Sequence, residues 1–84
     1  MVIIDTGGEK NLNAKEIGMR LCDLRKSFKM TKRFMAEALG ISYRSVCSYE
    51  YGQRIPSDET KMKIANLFGV SVESIFFADS NHNK

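Results

Sequence analysis

The 84-residue chain holds little from which a metal or redox centre could be built: one histidine, two cysteines and no tryptophan. His82 stands alone in a polar tail, and Cys22 and Cys47 belong to no C-x-x-C pair, so no zinc site is expected. Two unpatterned thiols suit a reducing compartment, where each serves best as a small apolar filler. Long hydrophobic runs are also absent, and the opening Met-Val-Ile-Ile is too short for a signal-peptide core and lacks a basic segment before it. The expectation is a soluble, unexported, cytoplasmic protein with no membrane contact. A chain of this length makes one small core and no deep catalytic cleft. No enzyme activity, cofactor or small-molecule substrate is therefore expected.

What is present is an uneven distribution of positive charge. The net charge is +3, yet Arg20 to Arg54 carries eight Lys or Arg against three acids (Asp23, Glu37 and Glu50), a local +5. That segregation is what a polyanion-binding surface requires, and a merely solubilising charge would not produce it.

Within the basic region, Lys32 to Tyr51 reads as two short helices hinged at Gly40. Thr31 is a good N-cap, followed by the apolar face Met35, Ala36 and Leu39. Lys32 and Arg33 sit in the first turn, at the positive end of the helix dipole, where a phosphate would compensate them. Gly40 supplies the left-handed residue that ends the helix. Ile41 turns inward and Ser42 caps the next helix, whose inner face is Val46 and Tyr49. Tyr43, Arg44, Cys47 and Ser48 are left on or near the outer face. Two helices in this relation, the second displayed more than packed, make a helix-turn-helix and point to DNA.

The flanking chain supplies scaffold. Met1 to Asn11, interrupted by Gly7-Gly8, reads as a flexible arm over residues 1–12. The alternative is that Val2, Ile3 and Ile4 dock on a partner subunit or pair as an edge strand. Asn13 caps a first helix with Glu16 at its N3 position, and Ile17, Leu21, Leu24 and Phe28 form its apolar stripe. Tyr51 to Pro56 is a turn. Ser57 caps a fourth helix, with Asp58 and Glu59 in its first turn and Thr60, Ile64 and Leu67, with Phe68 as a further candidate, inward. Gly69 stops it, and Ser71 caps a last short helix from Val72 to about Phe77 that returns Val72, Ile75 and Phe76 to the core. The domain spans 13–78, and 79–84 is a polar tail.

Laid out in this way, Ile17 to Phe76 resembles the Cro/C1-type (XRE) helix-turn-helix family of phage repressors and Cro proteins. The residues carrying the resemblance are Leu24-Arg25, Thr31, Ala36, Leu39-Gly40-Ile41-Ser42, Val46, Glu50, Gly52, Pro56 and the run IANLFGVSVESIF from Ile64. The resemblance implies an all-α fold of five helices, with helices 2 and 3 forming the helix-turn-helix, and binding to a near-palindromic DNA operator as a repressing homodimer. A protein-interaction module on the same fold, an antitoxin-like or antirepressor partner, is the alternative.

Transferred by position, the resemblance makes Ser42, Tyr43, Arg44 and Ser48 the base-reading set. Arg44 suits that role chemically, because its guanidinium matches guanine O6 and N7. Lys32, Arg33, Ser45, Tyr51, Gln53 and Arg54 form the phosphate-binding set. The family also implies an ion pair between Arg25 and Glu50 that ties the third helix to the scaffold. This chain departs from the family at two positions, with Lys32 where a glutamine is usual and Tyr51 where a polar or basic residue is common. Phe68, Ile75 and Phe77 are the expected dimer contacts.

Overall fold

The computed structural model describes residues 2–77, with side chains from Ala14 onward. The expected tail over 79–84, with His82, lies outside the described residues. Five helices are present and no strand occurs among the described residues: α1 (Val2–Ser27), α2 (Lys32–Leu39), α3 (Tyr43–Glu50), α4 (Asp58–Phe68) and a closing π-helical turn (Glu73–Phe77).

The first boundary departs from expectation. α1 begins at Val2 and runs through Gly7-Gly8 and Asn13, so Asn13 is an interior residue and Val2 to Ile4 form neither an irregular arm nor a strand. Glycine in a helix interior costs about 1 kcal/mol relative to alanine but removes no backbone hydrogen bond. A glycine pair therefore weakens a helix without ending it once the packed half has supplied the nucleus.

The remaining helix starts follow side-chain caps. Thr31 Oγ1 accepts from Phe34 N at 3.0 Å, Ser42 Oγ from Ser45 N at 3.0 Å, Ser57 Oγ from Thr60 N at 3.3 Å and Ser71 Oγ from Ser74 N at 3.1 Å. All four α-helices end alike, in paired 6→1 and 5→2 backbone hydrogen bonds around a left-handed residue. For α2, Ile41 N donates to Ala36 O at 3.0 Å and Gly40 N to Glu37 O at 3.2 Å, with Gly40 at φ 72°.

After α1 the left-handed position is filled by Lys29, at φ 59°, the one described residue other than glycine with positive φ. A side chain there costs roughly 1–2 kcal/mol. Lys29→Gly is therefore expected to raise stability by about 1 kcal/mol, less the added freedom of the unfolded chain, as read by urea unfolding. A fall in stability would show that the Lys29 side chain contributes more than its backbone strain.

The core lies where α3 packs against both α1 and α2, with α4 packed on α2 and the closing turn on α1. Leu21, Met35, Val46, Ile64 and Ile75 are its fully enclosed members, with Ile17, Ala36, Leu39, Tyr49, Phe68 and Phe76 around them. Leu24 and Leu67 are only partly buried, while Ala65 and Pro56, not anticipated as inward, are buried. Phe28 ends the apolar stripe but is half exposed, its ring edge-on to Phe68 at 5.2 Å.

Two glycines bring α1 against the end of α3. A Cβ on Gly18 would lie 2.5 Å from Glu50 O and 2.6 Å from Tyr49 O, and one on Gly52 would lie 2.9 Å from Lys15 Cα. The helices therefore meet backbone to backbone, and that contact sets how α3 is presented.

Candidate nucleic-acid interface

α3 has two faces of opposite character. Val46, Tyr49 and Glu50 are buried, while Tyr43 and Arg44 stand exposed at its start and Ser45, Cys47 and Ser48 are half-buried between. Arg44 makes no side-chain hydrogen bond, ion pair or ring contact within the described residues, so its five donors are available to a ligand. Ser48 follows it at i+4 on the same face. Its backbone carbonyl is occupied, accepting from Gln53 N at 2.9 Å and Arg54 N at 3.4 Å.

The inner anchor of α3 is the Arg25–Glu50 pair. Arg25 Nε donates to Glu50 Oε2 at 2.7 Å and Nη2 donates to Oε1 at 3.1 Å, a two-pronged arrangement in which both residues are buried. Nη1 of the same guanidinium donates to Met30 O at 2.9 Å, which ties the turn after α1 to the assembly, and Nη2 also contacts Cys22 Sγ at 3.7 Å. The hydrogen bonds to Glu50 raise the Arg25 pKa above the ordinary arginine value. Its charge, and with it the Arg25 side of the pair, is thus retained into strong alkali.

Around Arg44, the neighbouring cations Lys32, Arg33 and Arg54 are held rather than loose. Lys32 Nζ donates to Tyr51 Oη at 3.4 Å and lies 4.8 Å from the centre of that ring, joining the start of α2 to the end of α3. The hydrogen bond that Lys32 donates to Tyr51 raises the Lys32 pKa, so its ammonium persists to pH values above the ordinary lysine range. Arg33 lies 5.5 Å from the ring centre of Tyr43. Arg54 donates to Ser45 Oγ at 2.9 Å and covers the ring of Tyr49 at 5.1 Å, while Gln53 is exposed beside it. The two residues that depart from the family pattern, Lys32 and Tyr51, are therefore partners of one another.

Local electrostatics favour an anion here. Neither α2 nor α3 has an acid in its first turn, so the positive ends of both dipoles are uncompensated on the side that carries Lys32, Arg33 and Arg44. α4 is the contrast, with Asp58 and Glu59 in its first turn. A shallow groove lined by Met30, Thr31, Lys32, Arg33 and Tyr43 runs across the start of α2 above Arg25.

The expected dimer contacts divide. Phe68 and Ile75 are buried, at 4% and 1% exposure, and cannot present an apolar surface; each packs into the intramolecular core, which α4 and the closing turn complete. Phe77 is 63% exposed, with Lys61 Nζ 5.1 Å from its ring centre. Among the described residues no group of His, Cys, Asp and Glu could hold a metal ion, and no helix is long and apolar enough to cross a membrane.

The contact glycine Gly18 and the Ser42–Ser45–Arg54 hydrogen bonds were not among the sequence-derived features. A lone glycine inside an apolar helical repeat is the signal that could have revealed the first. The second has no local signal, because it joins a helix start to a loop nine positions further on.

Comparison with known proteins agrees with this fold. A helix-turn-helix family profile matches residues 23–75. The HTH-type transcriptional regulator YqaE of Bacillus subtilis is 37% identical over 68% of this chain and 49% of its own. The cryptic phage CTXphi transcriptional repressor RstR of Vibrio cholerae is 35% identical over 71% of this chain and 54% of its own. The chain thus spans about half the length of these relatives. Among solved structures, the restriction-modification controller protein C.AhdI of Aeromonas hydrophila superposes with a TM-score of 0.73 at 25% identity, over 77% of this chain and 98% of that one. The chain belongs to the Cro/C1-type (XRE) helix-turn-helix family of DNA-binding transcriptional regulators.

Proposed function

We propose that this protein is a cytoplasmic repressor that binds a near-palindromic DNA operator as a homodimer, with α3 of each subunit in the major groove. The observation that carries the reading is the unpartnered guanidinium of Arg44 on the exposed start of α3, surrounded by cations already held in place by Tyr51, Tyr43 and Ser45. Two copies of α3 would enter successive major grooves roughly 34 Å apart. Lys32, Arg33, Tyr51, Gln53 and Arg54 hold phosphates and set the register, and Ser45 lies among them. Arg44 reads guanine, Tyr43 meets a thymine methyl or a base edge, and Ser42 and Ser48 complete the base-reading face. The relatives that are regulators, RstR among them a transcriptional repressor, support repression as the outcome.

Fluorescence anisotropy with the operator, selected from random duplexes, tests the assignment. Arg44→Ala is expected to cost about 1–3 kcal/mol on the selected site and little on random DNA. Equal losses on both would remove Arg44 from base reading. All binding should weaken steeply with salt, because phosphate contacts release counterions.

For the dimer, Phe77 is the exposed apolar residue on the closing turn, and it supplies the contact. Sedimentation of Phe77→Asp should show a shift from dimer to monomer with unchanged helicity. A dimer of unaltered affinity would place the interface elsewhere.

A further inference from the structure

Ser45 and Arg54 share a hydrogen bond that links the first turn of α3 to the loop leaving its far end. A serine hydroxyl has one proton and two lone pairs. Here Ser45 Oγ accepts from Ser42 Oγ at 3.0 Å and from Arg54 Nη2 at 2.9 Å, so both lone pairs are engaged. Ser42 Oγ in turn accepts from Ser45 N, so the cap of α3 and the orientation of the hydroxyl are one arrangement.

Arg54 is correspondingly restrained on two sides. Its edge rests on Ser45 and its face lies over the Tyr49 ring, 5.1 Å from the centre. Tyr49 is itself buried in the core, so the platform under the guanidinium does not move independently of the fold. A free arginine side chain has many rotamers, and losing them at the moment of binding subtracts from affinity. Here that ordering is completed when the protein folds.

We infer that Ser45 is a positioning residue: it acts on DNA through Arg54, by holding the guanidinium so that its remaining donors face the phosphate backbone. The inference rests on the DNA-binding reading above. It reassigns Ser45 from an independent phosphate ligand to the support of another, and it makes Ser42 the origin of the chain of hydrogen bonds that carries the orientation.

A double-mutant cycle on a short random-sequence duplex at low salt tests this, since phosphate contacts need no operator. Ser45→Ala should weaken binding about twofold to tenfold, the worth of one hydrogen bond. Ser45→Thr, which keeps the hydroxyl, should restore affinity. In an Arg54→Ala background the Ser45→Ala substitution should have no further effect. The salt dependence separates the two roles as well: Ser45→Ala removes no charge and should leave the slope of log Kd against log salt unchanged, whereas Arg54→Ala should lower it by about 0.9.

A loss from Ser45→Ala of equal size in both backgrounds overturns the inference, because a direct contact or a general weakening of α3 would act without Arg54. Thermal unfolding of the same four proteins without DNA gives an independent reading. Non-additive midpoints are expected, and additive midpoints overturn the Ser45–Arg54 tie. If the wild-type protein binds no duplex while the midpoints remain non-additive, the DNA reading fails and the tie stands.

Discussion

Glu50→Ala is expected to remove about 3–5 kcal/mol of stability, because it leaves the Arg25 guanidinium buried without its counter-charge. A domain of this size has roughly 5–15 kcal/mol in total, so the variant should unfold near or below physiological temperature. Both prongs, at 2.7 and 3.1 Å, end on Glu50, and the Met30 carbonyl is the main acceptor left to Arg25. Glu50→Gln, which keeps the shape and part of the hydrogen bonding, should lie between wild type and alanine. Replacing both partners with Met and Leu should recover much of the loss, since the cost comes from an unpaired charge more than from the absent pair. The measurement is chemical denaturation monitored by circular dichroism. A Glu50→Ala protein within 1 kcal/mol of wild type would mean that water reaches Arg25 and that the pair does not anchor α3.

The second large effect is expected from the smallest substitution. On an exposed helix face, Gly→Ala would stabilise by about 1 kcal/mol through helix propensity. At Gly18 the sign should reverse, because the new methyl would sit 2.5 Å from Glu50 O, 2.6 Å from Tyr49 O and 2.9 Å from Glu50 C. All three are backbone atoms at the end of α3, which cannot rotate away as a side chain would. Relief requires α1 and α3 to separate, and separation lengthens the Arg25–Glu50 hydrogen bonds. Overpacking of this kind costs about 1–3 kcal/mol and sometimes more, so a net loss of at least about 2 kcal/mol is expected. That corresponds to a fall in Tm of roughly 8–16 °C for a domain of this length. DNA affinity at low temperature should fall as well, because the angle at which α3 is presented depends on this contact. A Gly18→Ala protein more stable than wild type would show that α1 is free to move relative to α3.

Stability and function meet at this crossing. α3 has eight residues and only Val46, Tyr49 and Glu50 are buried, which is too little to orient it by side-chain packing alone. Its position is set instead by the backbone contact at Gly18, the Arg25–Glu50 pair and the cap at Ser42. The outer face is then free to carry exposed polar and aromatic groups.

Local chemistry in the sequence determined the helix ends and the hinge. Hydroxyl residues at 31, 42, 57 and 71 satisfy orphan N–H groups, and glycines at 40, 52 and 69 adopt the left-handed conformation, so these boundaries depend only on adjacent residues. The apolar spacing of Met35, Ala36, Leu39, Val46 and Tyr49 likewise determined which faces turn inward, and the charge pattern placed the basic excess on the helix-turn-helix. The Gly7-Gly8 pair marks the limit of local chemistry, since its propensity penalty weakens the helix without stopping it and α1 continues to Val2.

The tertiary structure alone decided what lies between elements distant in the chain. Whether Phe68 and Ile75 face a partner or their own core depends on where α1 and α2 pack, and both are interior. Phe77 is exposed because its neighbour Phe76 occupies the inward position. The pairing of Lys32 with Tyr51, of Arg33 with Tyr43 and of Arg54 with Ser45 turned a list of cations into an oriented surface, through contacts that span 9 to 19 positions where residue spacing carries no periodic signal. Gly18 belongs with them. Its residue type is visible in the sequence, but its reason, a helix end 2.5 Å from where a Cβ would stand, exists only once α1 and α3 have crossed.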